Sequence, residues 1–347
     1  MQTNILQRIL DNQKRTPHTL SLEDMGITPM IVQNIYDWAK DYACFGELAS
    51  YIPQLANVDP SKSAIVVGDL LGNQICVGNG LNVKVSIQSV IKPFLYIYAL
   101  EKGVHPNDIS NIEPTAMQFN SDAVLQPESK KNRPGHPLNN AGAISSAGCI
   151  SKFENFLDFM RNLTENPDLQ VIDDVFQSEM ATNANNRALA MRLVATGRFN
   201  SIKEGEYALE NYTKACAIGV TPKELATAAV VLARGGRRGD KQLLNENNVV
   251  RAVNAMNSYG LYEHTGEISL IAAGVRALSC KSGVGGLIMD IDPGRGVFCT
   301  YGPKLDKAGN SVFGKYALIP LNHILASPYA MRLSADEILK TLSYFEE

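Results

Sequence analysis

Residues 86–94 read Ser86-Ile87-Gln88-Ser89-Val90-Ile91-Lys92-Pro93-Phe94, and the apolar run Leu95-Tyr96-Ile97-Tyr98-Ala99-Leu100 follows them. A proline is well placed in the first turn of a helix, where its missing N–H would have no partner, so Pro93 predicts a helix that begins at about Ser89. Residues three apart share a helix face, so Lys92 is expected beside Ser89. Burial disfavours the charged form of a lysine, which lets the amine accept a proton. The stretch therefore predicts a serine activated by a lysine.

A second motif, Lys281-Ser282-Gly283-Val284, lies far along the chain. S-x-x-K followed by K-[ST]-G is typical of serine hydrolases with the penicillin-recognising fold. In that arrangement the K-S-G strand faces the helix that carries the serine. The backbone N–H groups of Ser89 and Val284 would then stabilise an oxyanion. An isolated S-x-x-K is more often a helix-capping serine with a solvated lysine, so the ordered pair of motifs is what favours catalysis.

The composition is that of an ordinary globular protein. Of the 347 residues, 45% are hydrophobic and 19% are charged, which fits two domains or one large one. The net charge of −3 argues against nucleic acid or an anionic membrane surface as the main partner. No apolar run approaches the ~20 residues of a membrane span, and the N-terminal residues lack the pattern of a secretory signal.

The cysteines and histidines give no sign of a metal site. Six cysteines are scattered among apolar or small residues without a C-x-x-C pair. They predict buried free thiols and a cytoplasmic protein, rather than a disulfide framework or a zinc site. The five histidines show no spacing typical of metal ligands. We therefore expect neither a metal nor an organic cofactor.

Strand patterns occur near both ends of the chain, and helix patterns lie between them. Two hairpins are predicted, one within residues 63–78 and one within residues 286–301. Helix signals dominate from about residue 90 to 255, including a capping box at Thr221-Pro222-Lys223-Glu224. The fold class is therefore α+β, a mostly antiparallel sheet flanked by helices with an inserted all-α domain. The expected domains are an N-terminal helical extension (1–45), the sheet domain (46–90 and 256–347) and the inserted helical domain (91–255).

Four local predictions concern segments outside the motifs. Thr28-Pro29 predicts the start of a helix, because threonine caps well and proline fits the first helical position. Gly46-Glu47-Leu48-Ala49 suggests a short helix. Residues 130–137 form a polar, turn-rich loop. Ser334-Ala335-Asp336-Glu337 predicts the cap of a closing helix.

The chain resembles the serine-dependent glutaminases, amidohydrolases with a fold like that of β-lactamases and penicillin-binding proteins. The resemblance runs from about Tyr51 to about Leu318 and includes both motifs above. Its further stretches are Tyr51-Ile52-Pro53-Gln54-Leu55-Ala56, Asn140-Ala141-Gly142-Ala143-Ile144, Ser178-Glu179 with Asn186, Tyr212 before Cys216, Gly260-Leu261-Tyr262, and Leu305-Asp306 with Gly309-Asn310-Ser311-Val312.

This resemblance implies hydrolysis of L-glutamine to L-glutamate and ammonia through an acyl-enzyme, without a cofactor, in a homodimer or homotetramer. Ser89 would be the nucleophile and Lys92 its base. Tyr262, with Tyr212 as a second candidate, would transfer protons. The residues that would hold the substrate, along with Ser89, Tyr262 and the Val284 N–H, are Tyr51, Asn140, Glu179, Asn186 and Tyr212. A zwitterionic substrate needs one fixed negative charge and neutral donors in a partly dry pocket, which this set provides.

The sequence departs from the family pattern at a few positions. Ile91 stands where a second serine is common, and Asn139 where isoleucine or valine is usual. Asn185 replaces a typical arginine. Residues 272–280 replace a shorter stretch that usually ends in proline before the lysine. None of these departures removes a catalytic group. We therefore expect them to affect the range of substrates and the reaction rate.

Other interpretations of the same residues remain open on sequence grounds. Asn140 is also typical of a turn, Glu179 of a solvated helix face, and Tyr212 or Tyr262 of half-buried packing. Three alternative functions follow: a β-lactamase-like serine amidase on another substrate, a non-catalytic amino-acid-binding protein of the same fold, and an interaction scaffold. Glutamine binding without ammonia release would favour the amino-acid-binding protein. A protein that neither binds nor turns over glutamine would favour the interaction scaffold.

Overall fold

The computed structural model describes residues 20–111, 133–265 and 278–325. Its α-helices are α1 (Pro29–Tyr42), α2 (Pro53–Ala56), α3 (Lys92–Glu101), α4 (Pro106–Ile109), α5 (Asn140–Ala147), α6 (Phe153–Thr164), α7 (Asp173–Thr182), α8 (Ala184–Ala195), α9 (Ile202–Cys216), α10 (Pro222–Ala233), α11 (Glu246–Tyr259) and α12 (Val312–Leu325). Its strands are β1 (Glu47–Leu48), β2 (Ala64–Asp69), β3 (Gln74–Val77), β4 (Val85–Ser86), β5 (Gly219–Val220), β6 (Arg237–Arg238), β7 (Lys241–Gln242), β8 (Ser279–Ser282), β9 (Leu287–Asp292), β10 (Gly296–Tyr301) and β11 (Lys304–Leu305). Short 3₁₀ helices span Ala43–Phe45, Gln88–Ile91 and Tyr262–His264.

Five strands form the main sheet, in the order β3-β2-β10-β9-β8, and every neighbouring pair is antiparallel. Both predicted hairpins are present, β2 with β3 and β9 with β10. The central pairing aligns Gly296 with Asp69 and Tyr301 with Ala64. Strands from both ends of the chain thus share one sheet, and the helices lie between them in sequence. The predicted fold class is confirmed.

Both faces of the sheet are buried, because side chains alternate across a strand. In β2, Val66 belongs to a core that continues into the helices between residues 90 and 256, whereas Ile65 and Val67 belong to a second core. Helix α10 packs on the first face, against β2, β9 and β10. Helices α1 and α12 cover the second face and pack on each other. Each fully buried aliphatic side chain stabilises the fold by about 1.5–3 kcal/mol.

Local helix signals behave as predicted. Helix α1 begins at Pro29, and the Thr28 hydroxyl accepts a hydrogen bond from the Ile31 N–H at 3.3 Å. Helix α10 begins at Pro222 with both hydrogen bonds of the Thr221–Glu224 capping box present. Sequence-local rules work here because the capping partners lie within one turn.

One local prediction is wrong. Residues Glu47–Leu48 form a strand rather than a short helix, and pair with Lys304–Leu305. The chain runs so close to β11 that a Cβ added at Gly46 would lie 2.9 Å from the Lys304 carbonyl carbon. Backbone pairing with a distant strand therefore overrides the weak local preference.

Burial of the cysteines is also only partly as predicted. Cys216, Cys280 and Cys299 are buried free thiols, whereas Cys44 is exposed and Cys76 is partly exposed, as is Cys149. The predicted closing helix at residues 334–337, residues 130–132 of the polar loop, residues 1–19 of the N-terminal extension and residues 272–277 before the K-S-G motif lie outside the described residues. Within the described ranges, no helix is long and apolar enough to cross a membrane.

Candidate active site

Ser89 and Lys92 sit at the start of a buried helix, as the sequence predicts. Ser89 lies in the 3₁₀ helix Gln88–Ile91, which runs directly into α3, where the Lys92 N–H donates to the Ser89 carbonyl. Lys92 is fully buried and Ser89 is 8% exposed. Burial lowers the pKa of the Lys92 amine to about 8. With this pKa about a tenth of the amine is neutral at pH 7, and it is the neutral form that can act as a general base.

A short antiparallel pair holds the segment that leads into Ser89. Strand β4 pairs with β5, which follows α9, and the Ile87 N–H donates to the Ile218 carbonyl at 2.8 Å. Gln88 then takes a left-handed backbone conformation with φ of +50°. For a residue other than glycine such a conformation costs about 1–3 kcal/mol and persists only where its surroundings hold it. Its place next to Ser89 fits a functional turn.

The K-S-G strand ends against this turn. A Cβ added at Gly283 would lie 3.1 Å from the Ser89 nitrogen, and one at Gly285 would lie 2.5 Å from the Ser86 carbonyl oxygen. A side chain at Gly285 would collide with the backbone, and one at Gly283 would be tightly placed. Among the backbone hydrogen bonds of the described residues, none is donated by the N–H of Ser89 or Val284. These two groups are available to a ligand, as an oxyanion hole requires.

A cavity of about 390 Å³ opens beside Ser89. Seven of the nine site residues predicted from sequence line it; the exceptions are Lys92 and Tyr262. The full lining is Tyr51, Gln88, Ser89, Asn140, Glu179, Thr182, Asn183, Asn185, Asn186, Tyr212, Thr213, Cys216 and Val284. Glu179 is the one carboxylate among these lining residues.

Asn140 connects the buried lysine to the cavity. Lys92 Nζ donates to Asn140 Oδ1 at 2.6 Å, and the Tyr212 hydroxyl donates to the same oxygen at 3.2 Å. Asn140 Nδ2 donates to Asn186 Oδ1 at 2.8 Å. Asn140 is the first residue of α5 rather than a turn residue, and the Asn139 side chain caps that helix by accepting from the Gly142 N–H at 2.7 Å.

Glu179 lies on α7 and lines the cavity. Its Oε1 accepts hydrogen bonds from the Tyr51 hydroxyl at 2.9 Å and from Gln88 Nε2 at 3.1 Å. Burial raises the pKa of this carboxyl, and the two hydrogen bonds partly oppose that shift. A half-buried anion held by neutral donors is a suitable partner for an ammonium group.

Tyr262 contacts residues of the K-S-G strand. Its hydroxyl donates to the Ser282 carbonyl at 3.3 Å, and Lys281 Nζ lies 4.4 Å from the centre of its ring. Lys281 is fully buried and donates to the carbonyls of Gly260 (3.1 Å) and Ser282 (2.7 Å). Burial, followed by the charge of Lys92, holds the pKa of Lys281 well below its usual value.

Sequence reasoning missed several residues of this site. Gln88 is the most informative, because it touches both Glu179 and the Ser86 hydroxyl, the latter at 3.1 Å. Cys216 lines the cavity one helical turn after Tyr212, and burial raises the pKa of its thiol to about 12, so it stays protonated. Position next to Ser89 is the only signal that pointed to Gln88. In the described ranges, no group of three or more metal-ligating side chains occurs.

Comparison with known proteins supplies the family. The family model described as Glutaminase matches residues 46–327. A curated glutaminase of Clostridium tetani (strain Massachusetts / E88) is 34% identical over 295 residues, which cover 82% of this chain and 93% of that protein. The chain belongs to the glutaminase family.

Solved glutaminase structures share the fold. A probable glutaminase, YbaS, superimposes with a TM-score of 0.76 at 30% identity, over 85% of this chain and 96% of that one. Mglu in its glutamate form superimposes with a TM-score of 0.78 at 27% identity, over 87% of this chain and 70% of that one. Family membership confirms the predicted resemblance and the prediction of an amidohydrolase.

The departures from the usual glutaminase pattern have distinct places in the structure. Ile91 is fully buried and belongs to the main core, away from the cavity. Asn139 caps α5 and thereby orients Asn140. Asn185 is exposed at the rim of the cavity. Of these three, Asn185 is the residue able to affect substrate range directly.

Proposed function

We propose that this protein hydrolyses L-glutamine to L-glutamate and ammonia through an acyl-enzyme on Ser89. The observation that carries the proposal is a serine that lines a cavity with a single carboxylate and lies three residues before a fully buried lysine of lowered pKa, whose N–H donates to the serine carbonyl. Membership of the glutaminase family supports the substrate, as does the likeness to a structure named for its glutamate form.

Binding uses the polar side chains that line the cavity with Ser89. Glu179 pairs with the substrate's α-ammonium group, while the amides of Asn140 and Asn186 and the hydroxyl of Tyr51 bind its polar ends. The side-chain amide of glutamine then lies against Ser89. Replacing Glu179 with a neutral side chain removes the one carboxylate among the lining residues. The replacement therefore weakens substrate binding and leaves the chemical step in place.

Acylation begins when Lys92 Nζ takes the proton of the Ser89 hydroxyl as its oxygen attacks the side-chain amide carbon. The N–H groups of Ser89 and Val284 stabilise the resulting oxyanion. The C–N bond breaks, and Tyr262 delivers the proton that lets nitrogen leave as ammonia, with Tyr212 as the second proton-transfer candidate. A water then attacks the acyl carbon and gives its proton to the deprotonated Tyr262. The ester C–O bond breaks as Lys92 returns its proton to Ser89 Oγ, and L-glutamate leaves.

The deciding experiment compares ammonia release from L-glutamine by the wild type and by Ser89→Ala. We expect release by the wild type alone, with L-asparagine as the substrate control. Folding of both proteins is checked by circular dichroism. Binding of L-glutamine without ammonia release would instead identify a non-catalytic binding protein, and release from an N-acylated glutamine alone would identify a related serine amidase.

We also propose that the protein works in the cytoplasm as a homodimer or homotetramer. The six free thiols are typical of a reducing compartment and support the location. The assembly is proposed from the family resemblance, and sedimentation equilibrium of the purified protein tests it: a monomer at micromolar concentration would contradict it.

A further inference from the structure

The same loop sequence, D-x-x-G-N, occurs twice in this chain. It is found at Asp69-Leu70-Leu71-Gly72-Asn73, between β2 and β3, and at Asp306-Lys307-Ala308-Gly309-Asn310, between β11 and α12. The glycines have φ of +95° and +94°. In each loop the aspartate N–H donates to the asparagine carbonyl, at 3.1 Å and 2.8 Å. The two loops are therefore one local structure used twice.

The aspartates play the same part in both loops. Asp69 Oδ1 accepts from the N–H groups of Leu71 and Asn73, both at 2.9 Å. Asp306 Oδ1 accepts from the N–H groups of Ala308 at 3.0 Å and Asn310 at 2.9 Å. Local sequence alone accounts for this closure, because all of these partners lie within four residues.

The two asparagine side chains differ. Asn73 Nδ2 turns back and donates to Asp69 Oδ2 at 2.8 Å. The Asn310 side chain is fully buried and leaves its loop: Oδ1 accepts from the Ser282 hydroxyl at 2.6 Å, and Nδ2 donates to the Leu261 carbonyl at 3.3 Å. Asp306 Oδ2 instead contacts Lys315 Nζ and, at 3.3 Å, His264 Nδ1.

Both partners of Asn310 adjoin residues of the candidate site. Leu261 precedes Tyr262, whose φ of +53° is a left-handed conformation that its surroundings must hold. Ser282 precedes Gly283 and Val284, and its carbonyl accepts the Tyr262 hydroxyl. Gly309 completes the arrangement, since a Cβ added there would lie 3.4 Å from Val284 Cγ1 and 3.8 Å from Tyr262 Cε2.

We propose that Asn310 is a positioning residue that fixes Tyr262 relative to Val284. The proposal rests on the proposed function, in which Tyr262 transfers a proton and the Val284 N–H binds the oxyanion. The Ser282 N–H also donates to the Gly260 carbonyl, and the Tyr262 hydroxyl to the Ser282 carbonyl. The Asn310 amide is the side chain that bonds both segments, so its loss loosens the placement of the proton donor relative to the oxyanion hole. The residues that hold substrate, Glu179, Asn140 and Asn186, lie on other elements. Asn310 therefore affects turnover rather than substrate binding.

The test compares Asn310→Ala with Asn73→Ala, the same substitution in the same loop sequence. Small misplacements of reacting groups cost up to about 100-fold in rate. We expect Asn310→Ala to lower kcat for ammonia release by about 10- to 100-fold with KM changed less than about threefold, and Asn73→Ala to leave both near the wild-type values. Equal kcat values for the two variants, or a loss confined to KM, would overturn the proposal.

A second variant and a second measurement keep the test decisive. If Asn310→Ala does not fold, Ser282→Ala cuts the same link from its other end, with the same expected split between kcat and KM. Where both fold, the double variant should be no slower than Asn310→Ala alone, because the shared hydrogen bond is lost only once. If the two substitutions lowered kcat by factors that multiply in the double variant, the proposed Asn310–Ser282 link would be contradicted.

Hydrogen–deuterium exchange separates this inference from the proposed function. Asn310→Ala should speed amide exchange in residues 261–265 and 282–286, whereas Asn73→Ala should speed it only around residues 69–74. If the wild type releases no ammonia, the proposed function has failed and the exchange result alone judges the positioning role. Unchanged exchange at 261–265 would overturn that role whatever the activity.

Discussion

Lys92 is a buried amine whose ordinary charge state conflicts with its surroundings. Burial lowers its pKa from 10.5 to about 8, a difference worth about 3 kcal/mol against the folded state at neutral pH. The unfolded chain holds more protons than the folded one between these two values, so this group makes the folded state more stable as the pH rises from about 8 to 10.5. Its burial lowers the stability of the fold, which fits the proposed role of Lys92 as a base.

Replacing Lys92 with methionine tests whether the buried amine serves catalysis at the expense of stability. We expect Lys92→Met to lose ammonia release nearly as completely as Ser89→Ala, because nucleophile and base act as a unit. The free energy of unfolding at pH 7 should not fall, since the gain from removing a buried charge offsets the lost hydrogen bond to Asn140 Oδ1, which still accepts from the Tyr212 hydroxyl. Urea denaturation measures it. The matched control is Lys102→Met, an exposed lysine just after α3, which should keep full activity. Near-normal turnover by Lys92→Met would show that Lys92 is not the base.

The lowered pKa of Lys92 also predicts the pH dependence of the reaction. A general base acts in its deprotonated form, so kcat/KM should rise with pH and level off above about pH 8. A pH–rate profile from pH 6 to 10, with folding checked at each pH, measures this. A profile that is flat, or that falls through this range, would contradict Lys92 as the base.

Glu179 gives a complementary prediction for binding. Glu179→Gln keeps the shape of the side chain but removes its charge, so KM for L-glutamine should rise by roughly 10- to 100-fold, as expected for a lost charge-assisted contact of about 1.5–3 kcal/mol. Since burial raises the pKa of this carboxyl, its ionised form opposes folding, and the variant should be at least as stable as the wild type. Glu206→Gln, on the exposed face of α9, is the control. An unchanged KM would remove Glu179 from the binding site.

At the scale of elements, the chain combines helices that begin by local rules with turns held by distant contacts. Helix α10 belongs to the first kind, because Thr221 and Glu224 close its first turn between them. The 3₁₀ turn at Ser89 belongs to the second kind. Its left-handed Gln88 is supported by a side-chain bond to Glu179, 91 positions along the chain.

The capping box of α10 gives an element-scale prediction. Thr221→Ala should lower the free energy of unfolding by about 1 kcal/mol, the usual worth of an N-cap, and Thr221→Ser should lower it less because serine also caps. Chemical denaturation measures both. The kcat of each variant should stay at the wild-type value, since α10 contributes no residue to the cavity lining. A loss of activity at unchanged stability would place α10 in the catalytic machinery.

At the scale of the whole molecule, the candidate site is assembled from segments far apart in sequence. Tyr51, Ser89, Asn140, Glu179 and Val284 come from different elements and meet around one cavity. A ligand that binds this cavity can recognise only the folded chain. The division into domains at residues 46–90 with 256–347 and 91–255 stays a prediction, since the main core includes residues from both parts.

Product binding should therefore stabilise the whole fold. L-Glutamate at 100 times its dissociation constant should add about 2.7 kcal/mol to the free energy of unfolding. Thermal denaturation with and without L-glutamate measures the shift, and Glu179→Gln should show a smaller one at the same concentration. A melting temperature unaffected by saturating L-glutamate would contradict a site for the zwitterion in this cavity.

Much of the fold and of the candidate site is readable from sequence, for identifiable reasons. The two hairpins, the cap at Thr28 and the helix that begins near Ser89 depend on partners within a few residues, and all are confirmed. The strand at Glu47–Leu48 was not readable, because its partner lies more than 250 positions away. Gln88 was missed for the same reason: its partner Glu179 is on another helix.

The repeated D-x-x-G-N loop separates the two kinds of information most clearly. The loop follows from local sequence, since its aspartate and glycine close the same turn in both places. The partners of the two asparagine side chains depend on the packing around each loop: Asn73 bonds within its own loop, whereas Asn310 bonds Ser282 and the Leu261 carbonyl beside Tyr262. Hydrogen bonds within a turn follow from local chemistry, but a side chain that leaves its turn finds partners that only the packing of distant elements supplies.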